Sequence, residues 1–168
     1  MAHDTRMSSP AWTLDLSQQP QMAEAGSAGI CCFSALSVPM MGRASDGLVV
    51  AGCTGGYVCI INTTDRSVAA VHRPHTDDVR SIALHGGGPL RTGGSSFGLV
   101  TTSFDGLGAV WCVNQSSNLL YSFQLESMLK GHEDKILGVC SIVRNKTVEI
   151  LTTGADGKAI LWTQKTNK

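Results

Sequence analysis

An eleven-residue pattern that occurs three times limits the fold of this chain more than any other feature. Its copies align without gaps at residues 51–61, 101–111 and 152–162, with offsets of 50 and 51 residues. Each copy begins with small or hydroxylated residues, passes through Asp-Gly or Gly-Gly, and ends on a large apolar residue. Because Gly readily adopts the positive φ of a tight turn, each copy predicts two antiparallel strands joined by such a turn.

A histidine-containing pattern precedes the second and third copies. His75 and His132 are each followed two residues later by Asp and four residues later by a β-branched residue. In the same two units, the Asp of the turn lies six residues before a tryptophan. The shared order is therefore His, Asp, β-branched strand, Thr, Asp-Gly turn and Trp.

From residue 28 onward, short β-type runs alternate with Gly, Asn and Asp. We predict two sets of four strands and a third set of three, at 30–36, 47–52, 57–62 and 67–72, then 79–85, 98–103, 107–113 and 118–124, then 136–143, 148–153 and 158–163. No window has a convincing helical period, and 125–130 is too short to assign. This succession of short strands predicts an all-β fold. Residues 86–97 are predicted to be a surface insertion, flexible or partner-binding.

The first 27 residues have a different composition. They are rich in Ala, Ser, Gln, Met and Pro, which predicts a flexible arm. Within it, Trp12, Leu14 and Leu16 alternate with polar residues, the period of a half-buried strand. We therefore expect a possible lone strand at 12–16.

Together these patterns resemble the WD40 repeat family of β-propellers. The resemblance implies blades of four antiparallel strands, here about three of them in an incomplete propeller. It divides the chain into a degenerate blade at 28–74, a blade at 75–130 and a blade at 131–168 that lacks its outer strand. Cys112 and Thr163 replace the Asp of the family's Trp-Asp dipeptide. A kelch repeat is the competing assignment, supported only by Gly55-Gly56-Tyr57.

The resemblance also implies a role for the repeated polar residues. In the family they form a structural hydrogen-bond network from the turn Asp through His and Thr to the indole of Trp. The corresponding residues here are His75, Thr101, Asp105 and Trp111, and then His132, Thr152, Asp156 and Trp162. A hydrolytic site is the alternative for such a set. The Gly-x-Ser-x-Gly pattern at 94–98 lacks the preceding strand and following helix of a nucleophile elbow.

We expect the protein to act as a scaffold for protein–protein interaction, as a subunit or fragment of a larger assembly. The resemblance implies contacts through the loops that enter the inner strands and the residues before the turn Asp, here Asp78, Arg80, Phe104, Lys135, Leu137 and Ala155. Since 168 residues are short for a closed ring, the alternative is an architectural partial propeller completed by a partner or by self-association. A propeller-type enzyme is less favoured, because no nucleophile, base and metal set is apparent.

Charge and cysteine spacing exclude several other classes of function. Thirteen basic residues balance thirteen acidic ones, which argues against a nucleic-acid partner. The longest uncharged apolar stretch, 28–41, is too short for a membrane helix, and the N-terminus has no signal-peptide pattern. We therefore expect no membrane association and an intracellular location, cytoplasmic or nuclear. No pair of the six cysteines has the spacing of a zinc or redox motif, so no metal or cofactor is expected.

Overall fold

Most of the residues that the structure describes lie in β-strands. The computed structural model describes residues 13–23, 29–37, 47–85, 95–116, 120–145 and 147–165. Within these ranges it contains three short 3-10 helices, no α-helix, and eleven strands: β1 (Ile30–Ser37), β2 (Gly47–Cys53), β3 (Val58–Asn62), β4 (Ser67–His72), β5 (Val79–His85), β6 (Ser95–Ser103), β7 (Gly108–Gln115), β8 (Tyr121–Leu129), β9 (Ile136–Arg144), β10 (Thr147–Gly154) and β11 (Ala159–Lys165). The predicted all-β class is confirmed.

The strands form three antiparallel sheets in which each strand pairs with the next along the chain. The first sheet has the order β1-β2-β3-β4, the second β5-β6-β7-β8, and the third β9-β10-β11. Sheets of three or four strands in this succession are the blades of a partial β-propeller, as predicted. Tight turns with positive φ at Gly56, Gly106 and Gly157 join β2 to β3, β6 to β7 and β10 to β11.

The three sheets stack through their first strands. The Cys32 thiol on β1 donates to the Val79 carbonyl on β5 at 3.3 Å, and the Val139 N–H on β9 donates to Ser81 Oγ on β5 at 3.2 Å. One apolar core lies between the first and second sheets, and another between the second and third. The second sheet is covered on both faces, so β7 is buried from Gly108 to Val113 on both sides of the pleat.

The N-terminal segment differs from its prediction. Leu16–Gln18 and Pro20–Met22 are 3-10 helices, and the Asp15 carboxylate accepts a hydrogen bond from the Ser17 N–H at 2.9 Å, which starts the first of them. Leu16 and Met22 are buried against the first sheet. The predicted strand at 12–16 is therefore wrong over its described part, and the flexible arm is wrong for 13–23. Trp12 lies outside the described residues.

Two boundaries were also misplaced. β6 already begins at Ser95, so residues 95–97 belong to a strand and not to the predicted insertion. Phe97 is 2% exposed in the core between the first and second sheets, which explains why the strand extends to it. β8 continues to Leu129, which packs toward the third sheet, although the prediction ended it at 124. Residues 86–94 lie outside the part of the chain that the structure describes.

Candidate functional site

The polar residues of the second unit meet in one hydrogen-bonded chain. His75 comes from the loop before β5, Thr101 from β6, Asp105 from the β6–β7 turn and Trp111 from β7. His75 Nδ1 lies 3.0 Å from an Asp105 carboxylate oxygen, and His75 Nε2 lies 2.8 Å from Thr101 Oγ1. The Trp111 indole N–H donates to the same Thr101 oxygen at 3.1 Å. The structure thus brings all four together.

The third unit has the same arrangement. His132 Nδ1 lies 3.0 Å from both carboxylate oxygens of Asp156, and His132 Nε2 lies 2.9 Å from Thr152 Oγ1. The Trp162 indole N–H donates to Thr152 Oγ1 at 2.9 Å. Both units therefore join the loop before a sheet to that sheet's second and third strands and to the turn between them.

Backbone groups complete the environment of both carboxylates. Asp105 accepts from the N–H groups of Thr76 and Leu107, and Asp156 accepts from those of Glu133 and Lys158, at 3.0–3.1 Å. Burial acts to raise the pKa of Asp156, but the hydrogen bonds from His132 and the two backbone N–H groups outweigh it and lower the pKa to about 2. An ionised acceptor at this position fixes the loop against the turn.

The donors and acceptors fit a neutral histidine. Burial lowers the pKa of His75 below its ordinary value, although Asp105 acts in the opposite direction. In a neutral ring, Nδ1–H donates to Asp105 and Nε2 accepts the Thr101 hydroxyl proton. The Thr101 oxygen is then free to accept the Trp111 N–H. In this assignment, each polar side-chain group of the network formed by His75, Thr101, Asp105 and Trp111 has a partner.

The order Asp, His, hydroxyl is also that of a hydrolytic triad. Here, however, Thr101 and Thr152 are both 0% exposed, and each hydroxyl oxygen already accepts an indole N–H. An attacking oxygen must reach a substrate carbonyl, which these buried groups cannot do. The geometry favours a structural network over a hydrolytic site.

The first unit replaces this network with apolar contacts. Ala51 stands in the position of the Thr, Gly55 in that of the Asp and Ile61 in that of the Trp. Gly56, with φ of 88°, lies so close to the His75 carbonyl that a Cβ would collide with it. The face that carries Ala51 and Ile61 packs against Leu16 and Met22 instead of another sheet.

The turns that carry Gly56, Gly106 and Gly157 lie at the same end of the sheets as the loops before β5 and β9. We call this end the loop face; it comprises residues 54–57, 73–80, 104–107, 130–137 and 155–158. The Phe104 N–H donates to the Asp78 carbonyl at 3.0 Å, and the Ala155 N–H donates to the Lys135 carbonyl at 2.8 Å. The backbone at four of the six predicted contact residues is thus held by hydrogen bonds between neighbouring loops.

Two cationic side chains converge on Phe104. The Arg80 guanidinium carbon lies 4.9 Å from the centre of the ring, and Lys135 Nζ lies 4.7 Å from it. Leu137, two residues beyond Lys135, is 50% exposed. The Asp78 carboxylate accepts a hydrogen bond from the Gly55 N–H at 3.0 Å. The structure therefore places Phe104, Arg80 and Lys135 in one cluster and gives Asp78 a role in holding the adjacent turn.

A second aromatic–cation pair on the loop face was not predicted. The Arg73 guanidinium lies 5.1 Å from the centre of the Tyr57 ring, and its Nε donates to the Gly55 carbonyl at 3.0 Å. Arg73 lies outside the repeated pattern, so the repeats carried no signal for it.

Comparison with protein families bears on the third sheet. The family model described as WD domain, G-beta repeat matches residues 123–163, which run from β8 through β9, β10 and most of β11. Residues 123–163 are therefore similar to a WD40 repeat. The match includes His132, Thr152, Asp156 and Trp162. WD40 repeat domains are generally protein-interaction scaffolds and are typically not enzymes. No curated protein matches the chain significantly.

Two further observations concern metals and membranes. Among the described residues, no cluster of three or more His, Cys, Asp or Glu side chains is placed to hold a metal ion. None of the helices in the described ranges is long and apolar enough to cross a membrane.

Proposed function

We propose that this chain is a WD40-repeat scaffold that binds a protein partner through its loop face, as a subunit or fragment of a larger assembly. In this proposal 28–74, 75–130 and 131–168 are three blades, the last without its outer strand. The observation that carries the proposal is the cluster at Phe104, where an aromatic ring and two cations from separate loops converge at the surface. Aromatic residues, Phe among them, and Arg are enriched in the cores of protein–protein interfaces.

The networks beneath the loop face support this role. Asp105 follows Phe104 directly and is fixed by His75 and by two backbone N–H groups. The turn that presents Phe104 is therefore ordered before a partner arrives, which reduces the entropy lost on binding. We propose that the networks preorganise the loop face in addition to stabilising the blades.

Partner capture with a Phe104→Ala variant tests the proposal. Phe33→Ala is a matched control, because Phe33 is 72% exposed on β1 and lies outside the loop face. Chemical cross-linking and mass spectrometry should recover a partner with the wild type and the control but not with Phe104→Ala. Circular dichroism should show that all three proteins are folded. Equal capture by folded Phe104→Ala would refute loop-face binding.

A second candidate function is architectural, and it rests on the outward face of the third sheet. Leu151 and Leu161 are 39% and 63% exposed there. Their counterparts in the second sheet, Val100 and Val110, are 0% exposed because the third sheet covers them. We propose that a further β-sheet, from a partner or a second copy, covers Leu151 and Leu161 in the assembled state.

Light scattering distinguishes the two sources of that sheet. If a second copy supplies the sheet, the wild type should associate with itself in a concentration-dependent way, and Leu161→Lys should abolish this association. A monomer that binds a partner through Leu161 favours the hetero-assembly. If Leu161→Lys alters neither self-association nor partner capture, the architectural proposal is wrong.

We also propose an intracellular location. The six cysteines are free, and Cys53 Sγ and Cys59 Sγ lie 3.9 Å apart without a bond. Both thiols lie in an apolar cluster, where a free cysteine packs as a small hydrophobe, and free cysteines of this kind are typical of a reducing compartment. Detection of a Cys53–Cys59 disulfide in protein isolated from its native cell under thiol-blocking conditions would contradict this location.

A further inference from the structure

We infer that the cluster of Arg80, Phe104 and Lys135 recognises an acidic peptide segment, in which carboxylates flank an apolar side chain. The inference rests on the proposed loop-face function and specifies the chemistry of the partner. It follows from three properties of the cluster: the origin of its side chains, the pairing of its charges and the apolar surface beside it.

The three side chains come from three separate segments. Arg80 projects from β5, Phe104 from the β6–β7 turn, and Lys135 from the loop before β9. The Phe104 N–H bonds to the Asp78 carbonyl, and the Lys135 N–H bonds to the Asp134 carboxylate at 2.7 Å. Cationic groups 4.9 and 4.7 Å from one ring centre are thus held close together on backbone fixed by hydrogen bonds.

Within the part of the chain that the structure describes, neither cation has a carboxylate partner. Among the described residues, carboxylates pair with basic side chains at His75–Asp105, His132–Asp156 and Lys158–Glu133. Arg80 and Lys135 take part in none of them, and both residues are exposed.

The acidic residues of the adjacent loops bond to backbone instead. Asp77 accepts from the Asp78 N–H, Asp78 from the Gly55 N–H, and Asp134 from the Lys135 N–H, at 2.7–3.0 Å. Their carboxylates hold the loops, and none of the three forms an ion pair with Arg80 or Lys135, so both cations are available to a carboxylate from outside. A carboxylate accepts charge-assisted hydrogen bonds from both Arg and Lys.

Apolar surface borders the cations. Phe104 is partly exposed, Ala155 is exposed, and Leu137 is 50% exposed. A peptide that carried only charge would leave this surface in water. An apolar side chain between carboxylates would bury it while the carboxylates reach Arg80 and Lys135.

Titration with three synthetic peptides tests the inference on the full chain labelled with nitrogen-15. The peptides are acetylated and amidated pentamers with a central Leu, flanked on both sides by two Glu, two Gln or two Lys. The Glu peptide should shift the backbone amide resonances of Phe104, Lys135 and Ala155. Its dissociation constant should rise steeply with salt, as expected for exposed charges. The Gln and Lys peptides should bind at least about tenfold more weakly.

A matched pair of double variants assigns the effect to the cluster. Arg80→Gln/Lys135→Gln should weaken binding of the Glu peptide by about tenfold or more. Arg66→Gln/Arg144→Gln removes two exposed cations at the ends of the strands opposite the loop face. It lowers the net charge by the same amount as Arg80→Gln/Lys135→Gln. The dissociation constant of the Glu peptide should stay within about twofold of the wild-type value.

The outcomes separate this inference from the proposed function. Equal binding of the Glu and Gln peptides, preference for the Lys peptide, or full binding by Arg80→Gln/Lys135→Gln would overturn acidic recognition. Loop-face binding would survive those results if Phe104→Ala still lost its captured partner. If no peptide shifted the loop-face amides, the inference would be wrong, and the Phe104→Ala capture would decide the proposed function independently.

Discussion

The two ends of the stack of sheets differ in how their outward faces meet solvent. At the first sheet, Leu16 and Met22 cover the outward face and are 8% and 1% exposed. At the third sheet, the outward face is uncovered among the described residues, and Leu151 and Leu161 are 39% and 63% exposed. One end is closed by the chain itself, whereas the other presents apolar surface.

The covered first sheet also differs in sequence from the second and third sheets. The second and third sheets present Thr and Trp toward the sheet before them, and the first presents Ala51 and Ile61 toward the N-terminal segment. The 3-10 segment supplies the apolar side chains of Leu16 and Met22, which pack with Ala51 and Ile61. The degenerate first unit is thus matched to an apolar cover, whereas Thr152 and Trp162 of the third sheet face the second sheet.

The largest expected effect contrasts the two faces directly. Met22→Ala should lower the free energy of unfolding by about 2–4 kcal/mol, because it opens a cavity between the cover and the first sheet. Leu161→Ala should change it by no more than about 0.5 kcal/mol, because that side chain is exposed in the isolated chain. Urea unfolding followed by circular dichroism measures both.

Equal losses from these two substitutions would remove the contrast. A small loss from Met22→Ala would mean that the N-terminal segment does not cover the first sheet. A large loss from Leu161→Ala would mean that the outward face of the third sheet is already covered.

A smaller loss of stability is expected from removing one hydrogen-bond acceptor of the polar network in the second sheet. Thr101→Val keeps the shape of the side chain but leaves the Trp111 N–H and His75 Nε2 without their shared partner. The expected loss of stability is about 1–3 kcal/mol. Thr153→Val, on the exposed face of β10, is the matched control and should have little effect. If Thr101→Val unfolds at the same urea concentration as the wild type, the network does not stabilise the blade.

The networks should also make stability depend on pH. Since burial lowers the pKa of His75 below its unfolded value of about 6.5, the unfolded state binds more protons, and stability should fall as pH decreases below that value. A second decline should follow between about pH 4 and pH 2, as Asp156, whose pKa is lowered to about 2, becomes protonated.

Melting temperatures measured from pH 7 to pH 2 test this dependence. Asp156→Asn retains an acceptor oxygen but cannot be protonated in this range, so its profile should be flatter than that of the wild type below about pH 4. Parallel profiles for the two proteins would show that Asp156 is not stabilised as an anion.

The repeats predicted the parts of the fold that depend on local pattern. The positions of Gly predicted all three tight turns. The alternation of short β-type runs with Gly, Asn and Asp predicted the existence of all eleven strands. The N-terminal cover was not predicted, because Leu14 and Leu16 have strand spacing and only contact with the first sheet selects a 3-10 turn. The cluster at Phe104 was predicted only in part: the residue was named, but the convergence of Arg80 and Lys135 depends on how two sheets stack.

Cysteine labelling is the most direct test of the difference between the two ends. Cys140 pairs with Leu151 and is exposed on the outward face of the third sheet, whereas Cys53 and Cys59 are 0% exposed beneath the N-terminal cover. In dilute native protein treated with iodoacetamide, mass spectrometry should find Cys140 modified rapidly and Cys53 and Cys59 protected until Met22→Ala loosens the cover. Rapid modification of Cys53 and Cys59 in the wild type, or protection of Cys140, would contradict the account.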